Sequence, residues 1–331
     1  MPGGYSIERL FREVRRALPE RFSVSVVRCE TPHHSRWWLV RGIVRARARA
    51  AQVNHIVGDV HYVALGLPGQ RTILTVHDLN HLGELKAWRR VLARWLYFSL
   101  PLRRCRFVTA ISECTRERLV GLFPFVANKI VVIPDCVPDG FAPRPKAFNK
   151  DCPRILQIGA RTNKNLERVA RALQGERCVL HVIGRLSQTQ RRLLEDHGVS
   201  HENSVDLSDE ALLRAYEEAD LVVFASLAEG FGLPIIEANA MGRAVVTSNL
   251  SPMKEVAADA ACLVDPYDVV DIRRGIRRVI EDDGYRDRLI ERGHENATRF
   301  TARVVAEQYA RLYEEIAGET SSLGKVNACS H

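Results

Sequence analysis

No stretch of this 331-residue chain approaches the ~20 consecutive apolar residues of a membrane-spanning helix. The opening Met1-Pro-Gly-Gly-Tyr-Ser has no basic-then-apolar signal pattern, so a cytoplasmic location is expected. None of the eight cysteines forms a Cys-x-x-Cys pair, which removes the usual zinc and redox spacings and leaves reduced, buried thiols as the expectation. No Asp-x-Asp stands near an expected strand end, so a metal-held diphosphate is not indicated and no metal ligand is nominated. No Gly-x-Gly-x-x-Gly follows a strand with an acidic residue ~20 positions later, which argues against a nicotinamide-dependent enzyme.

What is present is a chain long enough for two domains of ordinary size, 46% hydrophobic and 27% charged, as in soluble globular proteins. Its net charge of +8 is divided unevenly. Residues 1–150 hold 25 Lys and Arg against 11 Asp and Glu (+14), and residues 151–331 hold 23 against 29 (−6). Two readings stand: the first half meets an anion such as nucleic acid, anionic lipid or a phosphorylated acceptor, or its arginines only solubilise it.

Short β-branched runs alternate with helical periodicity along the whole chain. Strands are expected at 22–29, 53–57, 72–76, 106–111 and 129–133, then at 154–158, 178–183, 221–225, 244–248 and 261–264. Helices are expected at 7–18, 165–174, 209–219, 234–241 and 302–316. Such alternation predicts α/β architecture: two doubly wound, Rossmann-like lobes of parallel sheet, facing each other across a cleft. The expected division is a lobe over 1–145, a proline-rich linker over 141–153, a second lobe over 153–300, a helix over 301–317 and a disordered tail over 318–331.

The strongest chemical signal is Glu229-Gly-Phe-Gly-Leu-Pro-Ile-Ile-Glu237. A strand leads into a loop with two glycines, and Pro234 opens a helix where its missing N–H costs nothing. Bare backbone at a helix N-terminus favours phosphate. Glu237, expected in the first turn, can accept bonds from ribose hydroxyls, and Glu229 from a sugar. The bland alternative is a strand-to-helix turn with a capping glutamate.

This segment, continued by Ala238-Asn-Ala-Met-Gly-Arg-Ala-Val-Val, resembles the donor site of retaining family-four glycosyltransferases (glycosyl transferases group 1) of the GT-B fold. Further matches follow in order: Thr75-Val-His77-Asp78-Leu, Thr109-Ala-Ile-Ser112-Glu113, Val132-Ile-Pro-Asp-Cys-Val-Pro-Asp, Ile158-Gly159-Ala-Arg161-Thr-Asn-Lys164-Asn165, Leu250-Ser-Pro-Met-Lys-Glu255 and Ala260-Ala-Cys-Leu-Val-Asp-Pro266. The resemblance implies transfer of a hexose from a nucleotide-diphosphate sugar to a saccharide or lipid-linked acceptor, in polysaccharide or glycolipid biosynthesis. It implies no metal, no further cofactor and no nucleic-acid partner. Glu229 would face the donor sugar and Glu237 the ribose. The N–H groups of the loop Gly230, Phe231, Gly232 and Leu233 would hold sugar and diphosphate, and Lys164 would pair with the diphosphate. Arg161 is either a second clamp or a solvated loop cation. His77 either touches the transferred sugar or caps a turn with Asp78 holding its ring.

Leu85–Arg106 carries Leu85, Trp88, Val91, Leu92 and Trp95 at helical spacing beside Lys86, Arg89, Arg90 and Arg94. It reads either as a basic helix lying peripherally on an anionic membrane surface or as a core-packed helix with a wet basic face. In one respect the chain departs from the family pattern. Gly3 and Gly4, which would approach donor phosphate and acceptor, follow only Met1-Pro2, so the family's opening apolar strand is expected to be missing. That departure motivates an alternative reading: a non-catalytic or truncated GT-B-fold protein acting as scaffold or partner subunit.

Overall fold

The computed structural model describes residues 7–29, 37–77, 94–318 and 325–330. Gly3, Gly4, Asp78 and residues 85–93 of the basic tryptophan segment lie outside the described residues. The chain divides into two compact units, Val137–Thr301 and Tyr5–Cys136 with Ala302–His331. They are called the C-terminal and N-terminal units below.

In the N-terminal unit the strands are β1 (Ser23–Arg28), β2 (Val53–Ile56), β3 (Thr72–Val76), β4 (Phe107–Ala110) and β5 (Ile130–Val132). The helices are α1 (Ile7–Ala17), α2 (Trp37–Ala48), α3 (Leu100–Arg104) and α4 (Glu113–Leu122). Every residue of β2 and β3 is buried, as expected of parallel strands covered on both faces. The helix α1 forms because Leu10, Phe11 and Val14 share one buried stripe while arginines fill its other face.

The C-terminal unit holds β6 (Arg154–Ile158), β7 (Val179–Ile183), β8 (His201–Ser204), β9 (Leu221–Phe224), β10 (Ala244–Ser248) and β11 (Cys262–Val264). Its helices are α5 (Leu166–Leu173), α6 (Gln188–Asp196), α7 (Asp209–Glu218), α8 (Leu233–Met241), α9 (Met253–Ala257), α10 (Val269–Glu281) and α11 (Asp283–Thr298). The strands form one parallel sheet in the order β11-β10-β9-β6-β7-β8. β8, absent from the sequence reading, is a polar edge strand. His-Glu-Asn-Ser has no alternation to betray it.

The boundary between units falls at Cys136, ahead of the expected linker, and that stretch is not a free linker. Asp220 explains why. Its carboxylate accepts from Lys146 Nζ, from the Asn149 N–H (3.1 Å) and from the Arg154 N–H (2.7 Å), fastening 146–154 to the C-terminal unit. Phe141 adds an edge contact to Tyr216.

The end of the chain returns to the N-terminal unit as α12 (Ala302–Gly318) and β12 (Lys325–Ser330). The expectation of a disordered tail over 318–331 is corrected here. β12 lies between β1 and β2, parallel to both, in the sheet order β1-β12-β2-β3-β4-β5. Val326 is in register with Val24 on one side and Val53 on the other. An interior strand position left empty would strip β1 and β2 of backbone partners. The carboxyl-terminal strand β12 fills that interior position.

Of the basic tryptophan segment residues 94–106 are described. Leu102 is buried in the core, while Arg103 and Arg104 are exposed and Arg104 donates to the carbonyls of Ala64 and Leu67 (3.3 and 3.1 Å), so this end has a packed apolar side and a wet basic one. Among the described residues no helix is long and apolar enough to cross a membrane. Cys29, Cys105, Cys136, Cys178 and Cys262 are buried, and neither they nor Cys114 and Cys152 form a disulfide among the described residues.

A polar network sits under α12. His55 Nδ1 lies 2.7 Å from the Tyr313 hydroxyl and Nε2 lies 2.7 Å from Thr75 Oγ1, which is 2.6 Å from Thr109 Oγ1. Complete burial, aided by nearby His77, pushes the His55 pKa down to about 3. The unfolded chain takes up this proton near 6.5, so the contribution of neutral His55 is whole above 6.5 and declines as pH falls toward 3. Buried Asp135 opposes it: desolvation raises its carboxyl, against the attraction of His77, so its contribution is present in acid and is lost as pH rises.

Two outcomes are expected. Deleting residues 319–331 should speed hydrogen exchange in β1 and β2 by ~10-fold or more, because β1 loses its strand partner and β2 becomes an edge. A synthetic peptide of residues 325–330 should restore protection, and unchanged exchange in the deletion would refute the role assigned to β12. Lowering pH from 6.5 toward 4 should loosen β2 and β3 in hydrogen exchange, and His55→Gln should flatten that dependence. An unaltered slope would show that His55 is not the acid-sensitive group.

Candidate functional site

The loop after β9 is built by its neighbours. Ser248 Oγ donates to the Ser226 carbonyl at 2.5 Å, the Leu227 N–H donates to the Asn163 carbonyl at 2.8 Å, and Asn163 Nδ2 donates to the Ala228 carbonyl at 2.9 Å. The loop ends at Gly232, whose φ of +117° is strained for any L side chain. α8 then opens with Pro234 in its first turn and no side-chain cap. N–H groups at this uncapped start, with the helix dipole behind them, make an anion cradle from backbone alone. Phe231 is buried edge-on against Phe300, centroids 5.6 Å apart, which anchors the loop between its two glycines.

Lys164 reaches this loop from the short turn Thr162–Lys164 after β6. Its Nζ donates to Glu229 Oε1 at 2.7 Å and sits 4.7 Å above the Phe224 ring. Both charged side chains are mostly buried, at 18% and 13% exposure, so the pair is held rather than solvated. Gly159 permits that path. Its φ is +93°, and a Cβ there would stand 2.9 Å from Lys164 Cγ and Cε. Asn165, itself left-handed at φ 59°, is buried and ties the same turn to the Ala225 and Pro266 carbonyls at 3.0 and 2.7 Å. Arg161 is not gathered in. It is exposed ahead of the turn, and its side chain pairs with none of the described residues.

Glu237 differs from its expected place. α8 begins at Leu233, so Glu237 falls just beyond the first turn, and the helical repeat turns it inward. It is fully buried, and the Tyr216 hydroxyl donates to Oε2 at 2.6 Å. Arg243 holds this arrangement, donating to the carbonyls of Tyr216 (2.9 Å), Glu217 (3.0 Å) and Met241 (3.1 Å) and so clamping the end of α7 to the end of α8. Tyr216 escaped the sequence reading because one aromatic on a helix stripe carries no mark of a polar partner.

His77 lies in the N-terminal unit, at the carboxyl end of β3 as expected. Nε2 is 3.1 Å from the Val57 carbonyl, so it carries the proton, and Nδ1 faces Asp135 Oδ1 at 3.8 Å. Phe11 meets the ring edge-on at 5.9 Å. Both ring nitrogens therefore have partners within their own unit, and a sugar hydroxyl here would compete with one of them. Asp135 was not nominated from the sequence, although it stands in the Pro-Asp-Cys-Val-Pro motif after β5. Among the described residues no group of three His, Cys, Asp or Glu is arranged to hold a metal ion.

Two family models match the chain in succession: Glycosyltransferase Family 4 over residues 12–140 and Glycosyl transferases group 1 over residues 140–296. The chain is 28% identical over 260 residues to O-antigen chain mannosyltransferase B of Escherichia coli, covering 70% of this chain and 67% of that one. It is 33% identical over 130 residues to the serotype-specific mannosyltransferase WbdA of Escherichia coli, covering 37% of this chain but only 16% of that relative. Among solved structures, WaaG, a glycosyltransferase involved in lipopolysaccharide biosynthesis, superposes with a TM-score of 0.70 at 14% identity, over 95% of this chain and 97% of that one. HepE of Anabaena in complex with UDP and glucose gives 0.67 at 15% identity, over 85% and 83%. The ordered motifs, the two parallel sheets and these matches agree: the chain belongs to glycosyltransferase family four, with the GT-B fold.

Proposed function

We propose that this glycosyltransferase moves a hexose, with retention of configuration, from a nucleotide-diphosphate sugar to a saccharide or lipid-linked acceptor in polysaccharide or glycolipid assembly. The observation that carries the reading is the uncapped start of α8 beside the Lys164–Glu229 pair. A donor has three parts, and this one segment offers a group for each: Glu229 for the hexose, backbone N–H groups and Lys164 for the diphosphate, and Glu237 for the ribose. Mannosyltransferases among the relatives and UDP bound to a structural neighbour support it.

The chemistry follows from charge. As the bond from the anomeric carbon to the phosphate oxygen breaks, its electron pair moves onto the diphosphate. Lys164 and the helix terminus stabilise that developing charge, the work a metal ion does elsewhere, so transfer is proposed to be metal-independent. The acceptor hydroxyl attacks the same face of the sugar, and its proton passes to the departing phosphate oxygen. In the free protein Glu229 neutralises Lys164, and the incoming diphosphate takes over that partner. His77 is proposed to contact the transferred sugar.

Titrating the full chain with UDP- and GDP-sugars in EDTA should give heat with one of them. Lys164→Ala should weaken binding by ~10–100-fold, the scale of a lost charge-assisted contact. Glu237→Ala should abolish binding, and Tyr216→Phe should weaken it several-fold by freeing the carboxylate it holds. Absence of binding by any nucleotide sugar at millimolar concentration would sink the reading. His77→Ala should lower turnover while leaving donor binding unchanged, and a loss confined to donor affinity would remove it from the transfer step.

A further inference from the structure

The donor site accounts for the Gly-rich loop but not for the basic half of the chain. A cavity of about 300 Å³ opens in the N-terminal unit, where α1, β1 and α2 meet. Arg12 and Arg15, one turn apart on α1, line it with Arg28 at the carboxyl end of β1 and with Arg45 and Arg49, one turn apart at the end of α2. Glu8 is the one acidic residue among its described lining, so five guanidinium groups less one carboxylate leave +4. Phe11 and Val57 line it too, and both are buried. Arg12, Arg15, Arg28 and Arg45 form no ion pair among the described residues.

Like charges drawn around one cavity repel unless an anion joins them. Guanidinium groups offer planar, forked donors matched to phosphate oxygens, and ligands of parallel α/β sheets bind beyond the carboxyl ends of strands, where Arg28 stands. A phosphomonoester brings a charge of about −2, and a diphosphate comes closer to balancing the cavity. The volume is that of a small ligand site. An apolar strip accompanies it: Val26 lines the cavity at 39% exposure, and Val40 and Val44 lie one turn apart on α2 at 50% and 60%.

We propose that this arginine cavity binds a diphosphate group, free or as the headgroup of a lipid. It is a second anion site, in a different unit from the donor loop. Its assignment to the acceptor rests on the glycosyltransferase reading, whereas the binding itself does not.

The test is titration of the full chain carrying Lys164→Ala, which disables the donor's own diphosphate contact, with inorganic pyrophosphate and with geranyl diphosphate. Both should bind. Arg28→Gln/Arg45→Gln should weaken both by ~10–100-fold, and Arg12→Gln/Arg15→Gln, drawn from another element, should do the same. These arginines are exposed, and unchanged hydrogen exchange in β1 would show that the fold is intact. Equal affinities would assign the cavity to the diphosphate alone, and tighter binding of the geranyl compound would assign it to a lipid headgroup. If neither compound binds, or if both bind the arginine variants undiminished, the proposal is overturned. Failure of nucleotide sugars to bind the unmodified chain would sink the donor reading and leave this result standing.

Discussion

An interior strand of a parallel sheet must find backbone partners along both edges, and most of what is notable in the N-terminal unit follows from that requirement. β1 and β2 are close in sequence but not neighbours in the sheet, and the strand that joins them arrives from the far end of the chain. With β12 goes α12, whose Tyr309 and Tyr313 cover His55 and Thr75. The same return of the chain thus completes a sheet and seals a polar network. Sealing it is what keeps His55 neutral.

In the C-terminal unit the equivalent constraint is local conformation. Gly159 and Gly232 adopt left-handed backbone on either side of one site, and each has a different consequence. At Gly159 the missing Cβ is the space through which Lys164 passes to Glu229. At Gly232 the turn brings the start of α8 to the loop without a cap. A charged pair and an uncapped helix start then share one small region. The two proposed anion sites differ in kind: backbone dipoles and one lysine here, a group of arginines in the other unit.

Legibility in the sequence depended on how local the cause was. β3, β6 and β10 coincide with the apolar runs that announced them, because buried parallel strands need little besides continuous β-branched residues. The Glu229–Glu237 segment was legible because turn glycines, helix-start proline and carboxylates sit within nine residues. β8 was not, since an edge strand can be polar. The stretch 141–153 was misjudged as a linker because three prolines signal irregular backbone without telling whether it is free or fastened. Asp220 fastens it from ~70 residues away.

By itself, then, the sequence determined most of the strands and helices in their order and the two-sheet architecture, which arise from residues within a few turns of one another. Only the tertiary structure decided that the tail is a strand, that Tyr216 holds Glu237, that Asp135 faces His77, and that five scattered arginines line one cavity. Those pairings join side chains or strands far apart in the chain. Periodicity and propensity report on local backbone, whereas such partners meet only when burial and backbone hydrogen bonding have closed the loops between them.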